Sequence, residues 1–366
     1  MRIAYVSFWF YDYTIRMANE ISKTNDVIIF LPDNIPKIYL DDLSRNIKLE
    51  LFKYSSLYSL LSFCTIISIV KRVRGFNPST VHFQMLNPLI LPIILLLKNY
   101  TIVVTYHDAI PHLGEGTIFS KIVFKLVAFL SDSIIVHGQH IKNIFIEYYK
   151  VNDDKVDAIP LGRHEIDIFK KFEDPQVREE KGLVLFFGRI KKYKGVEYLI
   201  DAEPYIQKQI PNVRILIAGK GDFKTSTKNP NIQFENRYIG YEEGAHLFQK
   251  CSVVVLPYVE ASQSGVIPAA FGFRKPIIST DVGSLKEIIE HEKTGLIVPA
   301  KDAHKLADAI IRLLEDEKLR NEIGAAGYQK LNNELSWEFI KKEIFLIYQR
   351  AALRKNQKLS IYISAK

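Results

Sequence analysis

Short apolar runs alternate with segments of helical periodicity in both halves of the chain, and this alternation constrains the fold more than any other feature. Most runs are four to six residues long, and many are rich in Val and Ile, as in "TIVVTY" (101–106) and "SVVVLP" (252–257). Strands that are apolar along their whole length are typical of parallel sheets covered by helices on both faces. The sequence therefore predicts an α/β fold built from doubly wound parallel sheets.

The alternation also predicts where the elements lie. We expect strands at 3–7, 27–31, 80–84, 101–106 and 133–138 in the first half, and at 183–188, 213–219, 232–236, 252–257, 276–280 and 295–299 in the second. In the second half we expect helices to begin near Val196, Glu242, Ser264, Ser284 and Ala303.

Two domains are expected, because 366 residues exceed what a single hydrophobic core usually organises. Charges are dense and apolar periodicity weakens at 163–182, which favours a boundary there. We predict domains at 1–165 and 166–335, followed by a long amphipathic helix and a basic tail at 336–366. Ligands of such sheets bind beyond the carboxyl ends of the strands, so the cleft between the domains is the predicted active site.

Composition excludes several classes of protein. Cys64 and Cys251 lie far apart without a CxxC spacing, so neither a disulfide framework nor a zinc site is expected. No Asp-x-Asp and no metal-ligand spacing of His, Asp and Glu occurs, and no metal or other cofactor is predicted. The start of the chain lacks a signal-peptide pattern, and the longest apolar run, at 86–97, is too short to cross a bilayer. A cytoplasmic protein is predicted.

Positive charge is concentrated in two places. Most of the net charge of +8 lies at 341–366, where the sequence contains seven basic residues and one acidic residue, Glu343. An apolar helical segment at 56–70 ends in Lys71, Arg72 and Arg74. Both segments are compatible with contact to anionic lipid at the inner face of a membrane, and equally with solvated helix ends. Aromatic residues interleaved with basic ones on a sheet are absent, so nucleic acid is not an expected partner.

A polar turn, "EASQSG" (260–265), separates the strand at 252–257 from an apolar helical segment. Gly265 is expected to permit a tight turn, Ser262 and Ser264 to cap the helix, and Pro268 to lie in its first turn. Free N–H groups at such a helix start bind anions, which favours a phosphate or an attached sugar. The alternative is an ordinary capped loop.

Cations follow the first strand of the second half. "FFGRIKKYKG" (186–195) places Gly188 and Arg189 at the strand end and Lys194 at the next helix start, where they would neutralise a diphosphate leaving group. "IAGKGD" (217–222) adds Gly219 and a cation, Lys220, but the third glycine of the dinucleotide fingerprint is missing. An NAD-dependent dehydrogenase is therefore disfavoured.

The first half contributes a histidine at a strand end. "VTYHDAIP" (103–110) sets His107 and Asp108 directly after a strand, where His107 is expected to donate to a sugar hydroxyl or to steady developing charge. The alternative for His107 is a loop histidine bonded to backbone. We expect His82 and His137 to serve packing or to line the cleft.

Together these motifs resemble the large retaining glycosyltransferase family four, which has the GT-B architecture. The resemblance covers Met1 to about Tyr348 and is densest from Leu183 to Pro299. It implies two Rossmann-like domains facing across a cleft, with the helix that begins at "SWEFI" crossing back to the N-terminal domain. It implies an acceptor side formed by His107, Asp108 and the N-terminal loop residues Tyr11, Asp12 and Tyr13. It implies a donor site formed by Gly188, Arg189, Lys194, Gly219, Lys220, Tyr238, Ile239, Glu260, Ser262, Gln263, Ser264 and Gly265.

One part of the family pattern differs in this chain. The family usually carries two glutamates eight positions apart around the donor sugar and ribose, and those positions here are Ala261 and Ala269. Glu260 lies one residue early, and "SQSG" replaces the usual glycine-rich turn, which resembles a subgroup of the family. We expect donor-sugar contacts from the backbone of this turn and from the Gln263 side chain.

The resemblance implies a retaining sugar transfer from a nucleotide diphosphate-sugar to a glycan or lipid-linked acceptor, in cell-surface polysaccharide or glycoconjugate synthesis. The reaction would be a metal-independent front-face displacement, with Arg189 and Lys194 stabilising charge and His107 orienting the acceptor. Two alternatives stay open: a catalytically silent GT-B subunit that binds nucleotide-sugar or a partner enzyme, and a sugar-nucleotide epimerase.

Overall fold

The computed structural model describes residues 1–53, 59–84, 87–107, 117–222 and 229–364, with side chains described as far as residue 357. The chain forms two compact units: unit 1 comprises Met1–Pro160 together with Trp337–Lys366, and unit 2 comprises Leu161–Ser336.

Unit 1 is built around a parallel sheet. Its strands are β1 (Arg2–Ser7), β2 (Asp26–Pro32), β3 (Lys48–Phe52), β4 (Thr80–Gln84), β5 (Thr101–Tyr106), β6 (Ser133–Val136) and β7 (Val156–Ala158). Its helices before residue 160 are α1 (Tyr11–Ser22), α2 (Lys37–Leu40), α3 (Leu60–Phe76), α4 (Ile90–Leu96), α5 (Ile118–Leu130) and α6 (Gln139–Tyr149). The described strands follow the order β3-β2-β1-β4-β5-β6-β7.

Helices cover both faces of the sheet of unit 1. Because crossovers between parallel strands are right-handed, the reversal of strand order at β1 puts α3, α4 and α5 on one face and α1 on the other. Consistent with one layer, α4 contacts both α3 and α5. The inner strands β1 and β5 are buried along almost their whole length, which is why each appears in the sequence as a largely apolar run.

Unit 2 repeats this design. Its strands are β8 (Leu183–Phe187), β9 (Arg214–Ala218), β10 (Ile232–Glu235), β11 (Val253–Leu256), β12 (Ile277–Thr280) and β13 (Leu296–Val298). Its helices are α7 (Ile166–Phe169), α8 (Val196–Gln209), α9 (Tyr241–Lys250), α10 (Val266–Gly272), α11 (Leu285–Ile288), α12 (Ala303–Glu315) and α13 (Glu317–Asn333). All described pairings are parallel, in the order β10-β9-β8-β11-β12-β13.

A long helix, α14 (Trp337–Ser364), belongs to unit 1 although it follows unit 2 in the sequence. It contacts α1, β5 and β6, and therefore lies on the sheet face opposite α3, α4 and α5. Its buried residues include Ile344, Tyr348 and Ala351, three positions on one side of the helix. Among the described residues, no helix has both the length and the apolar character needed to cross a bilayer.

The doubly wound α/β prediction is confirmed, and every strand expected from the sequence is present. Two strands were not expected, β3 and β7, and both lie at the edges of the sheet of unit 1. β3 consists of exposed and half-buried residues except for the buried Phe52, and it includes Lys48 and Glu50, so it offers no continuous apolar run.

Candidate functional site

The strand order of unit 2 reverses between β8 and β11. The helix that follows β8 and the helix that follows β11 therefore lie on opposite faces of the sheet. In open parallel sheets a reversal of this kind leaves a crevice beyond the carboxyl ends of the two strands, where ligands bind. The segments that follow β8 and β11 are "GRIKKYKG" and "PYVEASQSG", so the structure brings the predicted cation loop and the predicted polar turn to one edge of the sheet.

Two glycines allow the ends of β8 and β9 to stay paired as they enter the loops. Gly188 has φ of 125° and its amide donates to the carbonyl oxygen of Ala218 at 3.0 Å. Gly219 has φ of 145°, and a Cβ there would lie 1.9 Å from the carbonyl oxygen of Gly188. Since the neighbour is backbone, no side chain fits at this point. Both predicted glycines therefore lie where the ends of β8 and β9 approach each other most closely.

A third glycine holds the loop after β8 against the loop after β11. Gly195 has φ of 63°, and a Cβ there would lie 1.9 Å from the carbonyl oxygen of Pro257. The amide of Val259 donates to the carbonyl oxygen of Tyr193 at 2.8 Å. These contacts fix Lys194, between Tyr193 and Gly195, beside the chain that follows β11.

Lys194 lies over an aromatic ring. Its ammonium nitrogen is 3.5 Å from the ring centroid of Tyr258, a cation–π contact. Burial raises the pKa of Tyr258 to about 12, so the phenol stays neutral beneath the cation. The Tyr258 hydroxyl bonds to the Ser264 hydroxyl at 3.1 Å. Tyr258, which the sequence did not single out, thus connects the cation loop to the polar turn.

Arg189 is the second cation of the site. Its guanidinium donates to the Tyr193 hydroxyl at 3.3 Å, and the side chain is exposed. Among the described residues no carboxylate lies within ion-pair distance of Arg189, whereas Lys191 in the same loop pairs with Asp222 at 2.5 Å. Lys220 follows Gly219 and is exposed. Arg189 therefore keeps its charge available to a ligand, and Lys191 does not.

The polar turn leads directly into α10, and Gly265 is the last residue of the turn. Gly265 has a φ of −63°, and a Cβ there would lie 3.1 Å from Cδ2 of the His164 ring. The Ser264 hydroxyl accepts from the amide of Val266 at 3.4 Å, but among the described residues Ser262 makes no such bond. A side chain at position 265 would therefore have to displace the His164 ring slightly.

The loop after β12 completes this edge of unit 2. Gly283 has φ of 58°, and a Cβ there would lie 1.7 Å from the carbonyl oxygen of Ala261. Ser284 is 1% exposed, and its hydroxyl has no hydrogen-bond partner among the described residues. Ala261 and Ala269, which stand where the family pattern has glutamates, are both buried. The sequence analysis assigned no site residue to this loop.

The remaining predicted donor residues lie around these loops. Tyr238 and Ile239 follow β10, Tyr238 exposed and Ile239 buried. Glu260 is exposed, and Gln263 is partly buried in the polar turn. The neighbouring Arg237 is held by Glu243, to which its guanidinium donates at 2.8 Å. In the part of the chain that the structure describes, no group of three or more His, Cys, Asp or Glu side chains is arranged to hold a metal ion.

In unit 1, His107 lies at the carboxyl end of β5 with both ring nitrogens engaged. Nε2 bonds to Oε1 of Gln84 at 3.0 Å, and Nδ1 bonds to Nε2 of His137 at 3.1 Å. The Phe10 ring stacks on the imidazole at a centroid distance of 3.8 Å, and His107 is 6% exposed. In this arrangement His107 has no ring nitrogen left for a sugar hydroxyl, contrary to the expected donation.

The hydrogen bonds continue across the sheet. The Gln84 amide nitrogen lies 3.3 Å from Nε2 of His82, which also bonds to the Thr105 hydroxyl at 2.8 Å. Nδ1 of His82 bonds to the Tyr348 hydroxyl at 2.7 Å, and that hydroxyl bonds to the Tyr5 hydroxyl. Burial lowers the pKa of His82 to about 3. His82 and His137 are therefore members of a buried polar network.

Tyr11, Asp12 and Tyr13, expected in an N-terminal loop, instead form the first turn of α1 and are largely internal. Asp12 is 3% exposed and pairs with Arg16 at 3.2 Å, and Tyr13 is fully buried against the His107 ring. Tyr11 donates through its hydroxyl to the carbonyl oxygen of Phe8 at 3.0 Å. The burial of Asp12 and Tyr13 opposes their predicted contact with an acceptor. Asp108 lies outside the described residues.

Comparison with known families agrees with this geometry. Residues 167–330 match the family model described as "Glycosyl transferases group 1", and residues 13–165 match the model "Glycosyltransferase Family 4". The two matched segments contain nearly all of the loops described above.

Individual relatives are distant. An uncharacterized glycosyltransferase of Methanocaldococcus jannaschii is 29% identical over 242 residues, 62% of this chain and 62% of that protein. The capsular polysaccharide biosynthesis glycosyltransferase CapM of Staphylococcus aureus is 26% identical over 242 residues, 61% of this chain and 63% of that protein. A phosphatidyl-myo-inositol mannosyltransferase of Mycobacterium leprae is 27% identical over 175 residues, 46% of each. The chain thus spans less than two thirds of the length of each of these relatives.

Solved structures match over nearly the whole chain. Sucrose-phosphate synthase from Thermosynechococcus elongatus gives a TM-score of 0.70 at 20% identity, covering 96% of this chain and 98% of that one. Anabaena HepE in complex with UDP gives a TM-score of 0.68 at 14% identity, covering 100% of both. At these identities the likeness establishes the fold, which is the GT-B fold expected from the sequence.

Proposed function

The chain belongs to the group 1 glycosyltransferases of family four, and from this membership we propose that it transfers a sugar from a nucleotide diphosphate-sugar to a glycan or a lipid-linked acceptor. One observation supports this most directly. At the carboxyl ends of β8 and β11 two cations, Arg189 and Lys194, share one edge of the sheet, and Arg189 has no carboxylate partner among the described residues. A pair of cations at a strand-end crevice fits a diphosphate.

The proposed chemistry is a metal-independent, front-face displacement that retains configuration at the sugar. Negative charge grows on the diphosphate as its bond to the sugar breaks, and fixed cations lower the energy of that state more than that of the bound substrate. Lys194 is fixed by the Tyr258 ring and by the loop contacts of Gly195, so little reorganisation is needed during the reaction. The hydroxyl of Ser264 and the backbone of the polar turn are proposed to contact the donor sugar.

His107 remains the proposed acceptor-side residue, with a changed role. Donation from its Nε2 to an acceptor hydroxyl would require the bond to Gln84 to open. We propose instead that His107 shapes the acceptor side as part of the buried network, with its ring held between Phe10 and His137.

The proposed acceptor class is supported by the names of relatives. CapM of Staphylococcus aureus is a capsular polysaccharide biosynthesis glycosyltransferase, and the relative from Mycobacterium leprae acts on a phosphatidyl-myo-inositol. Structures of Anabaena HepE contain UDP or UDP-glucose, which supports a nucleotide diphosphate-sugar as donor. The proposed place of action is the cytoplasmic face of a membrane, in the synthesis of cell-surface polysaccharide or glycoconjugate.

The test is thermal stabilisation of the purified protein by a panel of nucleoside diphosphates and nucleotide-sugars, followed by dissociation constants for the best ligand. We expect one donor to stabilise the protein selectively, and Arg189→Ala and Lys194→Ala each to weaken its binding by about 10- to 100-fold, the value of a charge-assisted hydrogen bond. Lys192→Ala removes an equal charge from an exposed position in the same loop and serves as the control. Equal losses in all three variants would contradict a specific diphosphate site.

A catalytically silent subunit is the second candidate. It is favoured by the alanines at 261 and 269, where the family pattern has glutamates, and by the internal bonding of His107. Donor binding without turnover of any acceptor in a glycan and lipid-linked panel would support the silent subunit. A changed sugar recovered from donor alone would support an epimerase.

A further inference from the structure

Three neighbouring helices of unit 1 expose large apolar side chains on one face of the sheet. The helices are α3, α4 and α5, and the most exposed members are Leu60 (78%), Phe63 (60%), Ile118 (79%) and Phe129 (74%). Ile67, Leu95, Leu96, Phe119, Ile122 and Leu126 are also exposed. Proteins that remain in solution rarely expose a contiguous apolar surface of this kind without a binding partner. We call this set the α3–α5 surface.

In α3 the exposed apolar residues form a stripe along the helix, and basic residues continue this stripe. Leu60, Phe63 and Ile67 recur at helical spacing, and Lys71 and Arg74 continue the same line one and two turns further. The opposite side of α3, including Ile66, Ile69 and Val73, packs into the core of unit 1. The stripe is therefore not needed for folding of the helix against the sheet.

The same arrangement occurs in α5. Ile118, Ile122 and Phe129 lie within a narrow arc of this helix, and Lys121 and Lys125 lie beside that arc, also exposed. Val123 and Val127 face the core. The helix therefore has three sides: a buried side, an exposed apolar side and an exposed basic edge.

The helices α3, α4 and α5 contain no acidic residue. Between Glu50 and Asp108 the sequence contains no carboxylate, and α5 contains none either. The cations of the α3–α5 surface therefore have few counter-charges nearby. Arg72 is the exception, because it pairs with Glu50. An exposed face that is apolar, basic and free of carboxylates is complementary to a surface that is apolar inside and anionic at its boundary.

We propose that the α3–α5 surface is a docking surface for an anionic lipid bilayer. The exposed Leu, Ile and Phe side chains enter the boundary between headgroups and acyl chains, and Lys71, Arg74, Lys121 and Lys125 meet the anionic headgroups. The long aliphatic stems of these cations let the charge reach the headgroups while the apolar stripe is buried. The inference is independent of the proposed transferase activity, since it concerns lipid binding and needs no nucleotide-sugar.

The test is flotation of the full chain with vesicles of phosphatidylcholine alone and of equimolar phosphatidylcholine and phosphatidylglycerol, at low and at high salt. We expect binding to the anionic vesicles that weakens with salt, and little binding to phosphatidylcholine alone. Lys71→Gln with Lys125→Gln is expected to lower the partition coefficient about 25-fold, since each cation at a lipid surface contributes about fivefold. Lys181→Gln with Lys318→Gln removes equal charge from exposed positions of unit 2 and is expected to change nothing.

The apolar part of the surface has its own variant pair. Phe63→Ser with Phe129→Ser is expected to abolish flotation, while Leu346→Ser with Leu353→Ser, at exposed positions of α14 on the opposite sheet face, is expected to preserve it. Unchanged thermal unfolding of the variants would show that folding is intact.

Failure to float with anionic vesicles at low salt would overturn the proposal, and so would equal binding of the variants and their controls. Sedimentation velocity distinguishes a competing occupant. A dimer that Phe63→Ser with Phe129→Ser converts to monomer, without vesicle binding, would assign the surface to a second copy of this chain. Loss of flotation with donor binding unchanged would separate this proposal from the proposed function.

Discussion

Acidification is expected to destabilise unit 1 through one buried histidine, His82. Burial lowers its pKa from 6.5 in an unfolded chain to about 3 in the folded unit. Below pH 6.5 the unfolded chain takes up a proton at this position and the folded unit does not, so stability present above pH 6.5 is lost as the pH falls towards 3. The free energy of unfolding then falls by about 1.4 kcal/mol per pH unit.

Between pH 6.5 and about pH 4.5 the expected loss from His82 is about 2 kcal/mol, because the histidine is only partly titrated at the start of that interval. His82→Gln removes the titrating group. The variant is less stable at neutral pH, since it disturbs bonds to Tyr348 and Thr105. Its stability should depend less steeply on pH than that of the wild type, by this amount.

Tryptophan fluorescence during urea unfolding gives the measurement. The sequence contains two tryptophans, Trp9 and Trp337, and both belong to unit 1, so the signal reports this unit and not unit 2. Carboxylates titrate over the same interval, but they do so equally in wild type and variant, and the difference isolates His82. His140→Gln, at an exposed position of the same unit, is the control. Parallel pH dependences of wild type and His82→Gln would refute the neutral buried histidine.

Three further changes test the site in unit 2. Gly219→Ala places a Cβ 1.9 Å from the carbonyl oxygen of Gly188, and calorimetry should show unit 2 destabilised by at least about 2 kcal/mol; an unchanged melting temperature would contradict this packing. Ser284→Ala removes a buried hydroxyl without a partner among the described residues and should stabilise unit 2 by about 1 kcal/mol, whereas destabilisation would reveal a hydrogen bond. Tyr258→Phe keeps the ring beneath Lys194 and Tyr258→Leu does not, so donor affinity should fall further in the leucine variant; equal affinities would remove the ring from the site.

Much of the fold could be predicted because inner parallel strands are buried on both faces. The predicted strands at 80–84 and 101–106 coincide with β4 and β5. β3 could not be found in the same way, because an edge strand pairs on one side only and tolerates charges such as Lys48 and Glu50. The alternation of apolar runs with helical segments reflects the burial of the strands. It is therefore weaker for strands that are less buried.

The candidate site was only partly predictable, for a related reason. Arg189 could be placed at the edge of the sheet because it follows β8 closely, and Lys194 because it lies just before α8; loops at the strand ends of a parallel sheet converge. The bond between His82 and Tyr348 joins residues 266 positions apart, and no local pattern indicates it. The close approach of the His164 ring to Gly265 is likewise a tertiary contact that no local pattern indicates.

Because α14 follows unit 2 in the sequence, the two units are completed at different times during synthesis. Unit 2 is one continuous segment and can fold as soon as its own residues have left the ribosome, whereas unit 1 lacks α14 until all of unit 2 has been made. Until then the sheet face over β5 and β6 is uncovered, and His82 lacks the Tyr348 hydroxyl. The unit that starts first is therefore completed last, and a stalled or truncated chain would expose an unfinished N-terminal half beside a finished unit 2.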